Sequence, residues 1–206
     1  MGTRHLVKVT YNKENVIAQF GSNDGYPSWA GIRVCEFLQS RPRYNRLKEK
    51  AQMGELKFIT AEEKSLLYEH LKHAADISPA VGAAVQIMLN NSQFSGSIGA
   101  DILEMAVHEY STFYSEDSSD FEDDALFCEY VYHIDLNKNT LTIYRPAYRP
   151  CYEKMRRTYR ISTIQEWTSE ELRKKMSGLE KKWDKICLEP NSSTRSLMLS
   201  SPVGAN

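Results

Sequence analysis

The segment Gly21-Ser22-Asn23-Asp24-Gly25-Tyr26-Pro27 brings two glycines, an Asn-Asp pair and a proline into one turn. It lies between an alternating stretch that reads as a strand and an amphipathic stretch that reads as a helix. Backbone N–H groups at such a junction can cradle an anion. Asp24 adds a carboxylate for a hydroxyl, an amine or a metal. The segment lacks the Gly-Lys-Ser/Thr of a phosphate loop and the three spaced glycines of a dinucleotide fold. The competing reading is a structural turn that needs positive φ at a glycine and packs Tyr26 against the sheet.

Arg4 stands at the start of an apolar strand, where an arginine commonly ends in a buried pair with a carboxylate. Asp24 and Glu129 are its candidate partners, and a clamp from Arg4 to the 21–27 loop is the expectation. Arg4, Asp24, Tyr26 and Glu129 are therefore the candidate ligand-binding residues.

Two residues could act as nucleophiles. Cys128 lies on a predicted strand and would need a base, for which His108 and His133 are available. Its alternative role is that of a small buried hydrophobe. Thr3 follows from a layout similar to that of N-terminal-nucleophile hydrolases, a hairpin at the N-terminus followed by an Asp-containing loop. That mechanism needs a free α-amino group on the nucleophile, and removal of Met1 exposes Gly2 rather than Thr3.

Metal chemistry finds little support. His70 and His73 are three apart on a predicted helix, without the HExxH pattern or a third ligand. The acidic run 115–124 lacks the spaced ligands and glycine of a calcium loop and reads as a solvated loop. The four cysteines, Cys35, Cys128, Cys151 and Cys187, form no CxxC pair and read as free thiols. No metal or cofactor is expected.

Arg145, Arg149, Arg156, Arg157 and Arg160 interleave with Tyr144, Tyr148, Tyr152 and Tyr159. Such a pattern can hold phosphates and stack bases, or neutralise the acidic loop, or line a protein interface. A net charge of −1 argues against nucleic acid as the partner. With 206 residues, 41% hydrophobic and 26% charged, the chain has the balance of a globular protein. It contains no run of membrane-spanning length, and Met1 to His5 lack the apolar core of a signal peptide. Leu6 stands where a myristoylation signal has Ser or Thr. A cytoplasmic location is the expectation.

The elements that must position these residues follow from periodicity and turn chemistry. Leu6 to Tyr11 and Val16 to Phe20 read as an N-terminal β-hairpin around a polar turn. Ser28 is the expected N-cap of a helix carrying Ile32, Cys35, Phe37 and Leu38, stopped at Arg41-Pro42. A short helix is expected within 43–57. Thr60 with Glu63, and Thr168 with Glu171, have the form of capping boxes. Pro79 starts a further helix, and Ile98 to Ala106 mark another. A hairpin near 126–144 combines a strand from Leu126 to Ile134 with one from Thr140 to Tyr144, and a short strand follows at Tyr159 to Ile161. The whole reads as one α+β domain over 1–188, with a mostly antiparallel sheet, a helical middle, a C-terminal helix and a flexible tail over 189–206.

Gly2-Thr3-Arg4-His5-Leu6, the run Gln19-Phe20-Gly21 with Asp24-Gly25-Tyr26-Pro27, Phe37-Leu38, Gly99-Ala100, Leu126-Phe127-Cys128-Glu129-Tyr130 with Ile134-Asp135-Leu136, and Thr158-Tyr159 together resemble a family of uncharacterised proteins of fungi, bacteria and viruses. Its members begin Gly-Thr-Arg and carry a Gln-Tyr-Gly-x-x-Asp-Gly-Tyr-Pro element. The likeness covers most of residues 2–165. It departs at Ser22-Asn23, where the family often has Gln-Trp, and at Trp29-Ala30-Gly31, where it often has Gly-Gln-Gly. The resemblance implies one continuous domain and draws attention to the two end motifs. It supplies no reaction.

Three functions compete on this reading. The first is a binding module for a small polar ligand or a protein, using the 21–27 loop. The second is a hydrolase, either N-terminal-nucleophile-like at Thr3 or cysteine-based at Cys128. The third, which rests on the resemblance alone, is a viral or host-interaction protein.

Overall fold

The computed structural model describes residues 2–90, 92–95, 98–108, 111–124, 126–146 and 155–188. Strand β1 (His5–Tyr11) and strand β2 (Glu14–Gly21) form the expected antiparallel hairpin. Asn12 and Lys13 both take positive φ, 51° and 71°, which matches the turn's twist to that of the strands.

After the 21–27 loop the chain enters a π-helical turn, Pro27–Gly31, that runs directly into α1 (Ile32–Gln39). Ser28 is therefore not the N-cap. Pro27 takes the first helical position, where its missing N–H leaves no bond unmade. The Ser28 N–H instead donates to Glu180 Oε2 at 3.1 Å. Extended Ser40 separates α1 from α2 (Arg41–Gln52), whose first turn holds Pro42.

The capping box at Thr60 forms as expected and opens α3 (Ala61–Ala75), which packs on α4 (Pro79–Asn90). None of the α3 residues is buried. A 3₁₀ turn, Gly99–Asp101, leads into α5 (Ile102–His108). Strands β3 (Leu56–Phe58) and β4 (Phe113–Ser115) pair in parallel, a small sheet that the sequence reading does not anticipate.

Strands β5 (Tyr130–Asp135), β6 (Thr140–Tyr144) and β7 (Arg156–Arg160) lead to α6 (Ile161–Ile164) and α7 (Ser169–Leu188). The second capping box is present: Glu171 N–H donates to Thr168 Oγ1, and Thr168 N–H to Glu171 Oε2. The main sheet has the order β2-β1-β5-β6-β7. Of its neighbouring strands only β1 and β5 run parallel, so the fold is α+β with a mostly antiparallel main sheet.

One sheet face, with Val7, Val9, Tyr130, Tyr132, Ile134 and Ile143, packs on Val34, Phe37, Leu47, Ile102, Met176 and Trp183 of the helices. The opposite face carries a smaller cluster of Leu6, Ala18, Cys128, Val131 and Tyr144, with Phe58 and Phe121 against it.

Two expectations need correction here. The strand does not begin at Leu126. The Asp124 carboxylate accepts from the N–H groups of Leu126 and Phe127 at 3.1 and 3.0 Å, which turns the chain before β5 starts at Tyr130. Cys128 and Tyr130, which a continuous strand would place on one face, therefore face different clusters. The acidic run is also not a solvated loop throughout. Residues Ser119–Asp123 form a 3₁₀ turn laid over the second cluster, with Glu122 held by Lys8 and Tyr144.

Among the described residues no helix is long and apolar enough to cross a membrane. Pro150, most of the Arg/Tyr interleaving over 147–154, and the tail over 189–206 lie outside the described residues.

Candidate functional site

Three segments distant in sequence meet through main-chain hydrogen bonds. Gly25 N–H donates to Thr3 O at 3.0 Å, and Glu129 N–H donates to Arg4 O at 3.2 Å. Residues 3 and 4 therefore stand between the 21–27 loop and the lead-in to β5. Together the three segments enclose a cleft of about 650 Å³, lined among others by Thr3, Arg4, Asn23, Tyr26, Phe127 and Glu129.

Three of the four candidate ligand-binding residues, Arg4, Tyr26 and Glu129, thus share one cleft. Tyr26 is 40% exposed, with its ring 6.1 Å from that of buried Tyr130. The expected clamp does not form: among the described residues Arg4 makes no ion pair with Asp24 or Glu129 within 4 Å. The Arg4 guanidinium instead lies over the Phe127 ring, 4.4 Å from its centroid. Arg4 stays half-buried between buried Thr3 and His5, and an aromatic face takes the place of the expected carboxylate.

Asp24 does not line the cleft. It is exposed and holds φ at +51°, a conformation that aspartate tolerates better than most residues. Its carbonyl accepts from Ala30 N–H at 3.2 Å, and the neighbouring Gly25 carbonyl accepts from Tyr132 Oη at 2.7 Å. Asp24 therefore shapes the loop through its backbone.

The glycines of this loop have a role that motif comparison missed. Buried His5 fills the space beside them. A Cβ on Gly21 would overlap the imidazole, one on Gly25 would come within 3.0 Å of it, and one on Gly99 within 2.6 Å. His5 stacks edge-on against Tyr132, 5.9 Å between ring centres. Burial lowers its pKa to about 4, so it is neutral near pH 7. The signal was present in the alternation His5, Val7, Val9, which places a histidine on the core face.

The candidate nucleophiles are placed as follows. Cys128 is fully buried in the second cluster, and burial, followed by the charges of Glu122, Asp124 and Glu129, pushes its thiol up to about 12. Its Sγ contacts Tyr130 O at 3.8 Å. Of the proposed bases, His133 Nε2 pairs with Thr10 Oγ1 at 2.9 Å, and His108 stands near Glu104 on the surface of α5. A thiol so held stays protonated at neutral pH. Thr3 is 3% exposed, its backbone tied to Gly25.

His70 and His73 lie exposed on α3. Among the described residues no group of three or more His, Cys, Asp or Glu side chains is arranged to hold a metal ion. Of the described arginines, Arg145 lies over Tyr130, Arg156 over Tyr144 and Arg157 over Tyr159. The acidic run draws its partners from Lys8, Tyr144 and Lys64.

Comparison with protein-family models, with curated proteins and with solved structures finds no match to this chain.

Proposed function

We propose that the chain is a binding module whose cleft between Arg4, Tyr26 and Glu129 takes a small polar ligand. The observation that carries this reading is a cation and a carboxylate lining one cleft without pairing to each other. A ligand bearing both charges, such as a zwitterion, would satisfy both, while Tyr26 and Phe127 offer ring faces for its apolar part. A volume of about 650 Å³ suits such a molecule.

A thermal-shift screen over amino acids, nucleotides, sugars and metal ions tests the reading. Zwitterionic compounds are expected to raise the melting temperature of the wild type but not of Arg4→Ala. No shift with any compound would contradict it.

A second reading has its own observation. Leu126 is 78% and Phe127 45% exposed at the cleft's edge, which suits a protein partner seated over the same residues. Loss of partner capture in Phe127→Ala, with no small-molecule shift, would favour that version.

A further inference from the structure

We infer that the groove between β7 and α7 takes an acidic peptide segment in extended form. The groove has a volume of about 620 Å³ and is lined by Arg156, Arg157, Lys175 and Lys182. Among the described residues no carboxylate lines it, in a chain whose net charge is −1. It shares no residue with the cleft at Arg4.

Consecutive strand residues point to opposite faces. Arg156 and Arg157 both line the groove, so it follows the edge of β7 rather than one face. Strand β7 is the last in the sheet order, and a terminal strand is the template on which an extended peptide can add. The floor is apolar, from Tyr159, Leu179 and Ile186. On α7, Lys175, Leu179, Lys182 and Ile186 recur at helical spacing, so cationic and apolar positions alternate along the groove. That pattern matches a strand that presents carboxylate and apolar side chains by turns on its face toward α7, one at every second residue.

Gly178 adds an independent observation. It sits exposed inside a 20-residue helix, and a Cβ there would meet nothing within 4 Å. Glycine weakens a helix interior, and no packing demands one here. Its absence of a side chain keeps the groove open along its length. Single-stranded nucleic acid fits less well, because it needs exposed rings for stacking, whereas of the groove's rings Trp183 is 1% exposed and Tyr159 is half-buried, edge to face with Trp167.

The test is fluorescence anisotropy on the full chain at low salt. The probe is a short fluorescein-labelled peptide of the repeat Glu-Ser-Val-Ser, which sets Glu and Val by turns on one face. Its counterpart with Lys in place of Glu and a labelled oligo-uridine of similar length serve as comparisons. Saturable binding of the acidic peptide alone is expected, weakened about tenfold or more by Gly178→Leu and by Lys182→Glu. Gly178→Leu fills the groove while favouring the helix, so an unchanged or higher melting temperature separates blocked binding from unfolding. Absence of acidic-peptide binding, equal binding by Gly178→Leu, or tighter binding of oligo-uridine would overturn the inference.

Discussion

The imidazole of His5 occupies the volume that a side chain at Gly21 would need. The two residues are register partners on β1 and β2, and Gly25 and Gly99 complete the socket around the same ring. The loop that positions Tyr26 at the cleft is thus shaped by a buried histidine on the neighbouring strand.

Alanine at Gly21 or Gly99 is expected to destabilise the protein by about 1–3 kcal/mol through overpacking. Gly99 carries the added strain of φ at +50°. Urea denaturation followed by circular dichroism reads the change. In a His5→Ala background the cost of Gly21→Ala should shrink, because the clashing ring is gone; additive losses would refute the socket.

The pH dependence of stability follows from the same ring. His5 has a folded pKa of about 4 against an ordinary 6.5, so between those values the unfolded chain binds the extra proton. Stability is fully present above about pH 6.5 and falls as pH drops toward 4, by on the order of 3 kcal/mol. His133 contributes in the same direction, lowered by burial and then by Lys8. In His5→Gln the fall over this window should be visibly shallower. An unchanged slope would mean that the ring is not buried neutral.

Glu122 joins the acidic turn to the sheet. Burial alone would raise its carboxyl, but hydrogen bonds from Lys8 and Tyr144 and the charges of Lys8 and His133 outweigh that and hold it below its ordinary value. Its contribution is present above pH 4.5 and lost as pH falls through the lowered folded value. Glu122→Gln is expected to cost about 1–3 kcal/mol near neutral pH. Hydrogen exchange should then rise across Ser119–Asp123; if exchange there stays slow, the turn is held by Phe121 packing alone.

Gly178→Ala should stabilise the fold by roughly 0.5–1 kcal/mol, since the new methyl meets open space and the helix gains propensity. Thermal unfolding measures it, and a lower melting temperature would show that the site is more crowded than the geometry indicates.

Much of the fold was legible in local patterns. The alternation from Leu6 to Phe20, the capping boxes at Thr60 and Thr168, and the Pro79 helix start all work through residues a few positions apart. What escaped depends on distant contacts. The parallel pairing of β1 with β5 joins His5 to Tyr130 across most of the chain, and β3 and β4 are too short for any period to show. The start of β5 was misplaced because one carboxylate, Asp124, turns an apolar run away from the sheet. For the site, residue type pointed to Arg4, Tyr26 and Glu129, but not to how they relate. Arg4 finds Phe127 rather than Asp24, and the glycines answer to His5, a reason that only the packed structure supplies.

The most direct measurement is an isothermal titration of the compound giving the largest thermal shift into the wild type and Arg4→Ala. Loss of a charged hydrogen-bond partner in the cleft should weaken binding roughly 10- to 100-fold, with the fold unchanged by circular dichroism. The same dissociation constant for both proteins would contradict the assignment of the cleft at Arg4, Tyr26 and Glu129 as the binding site.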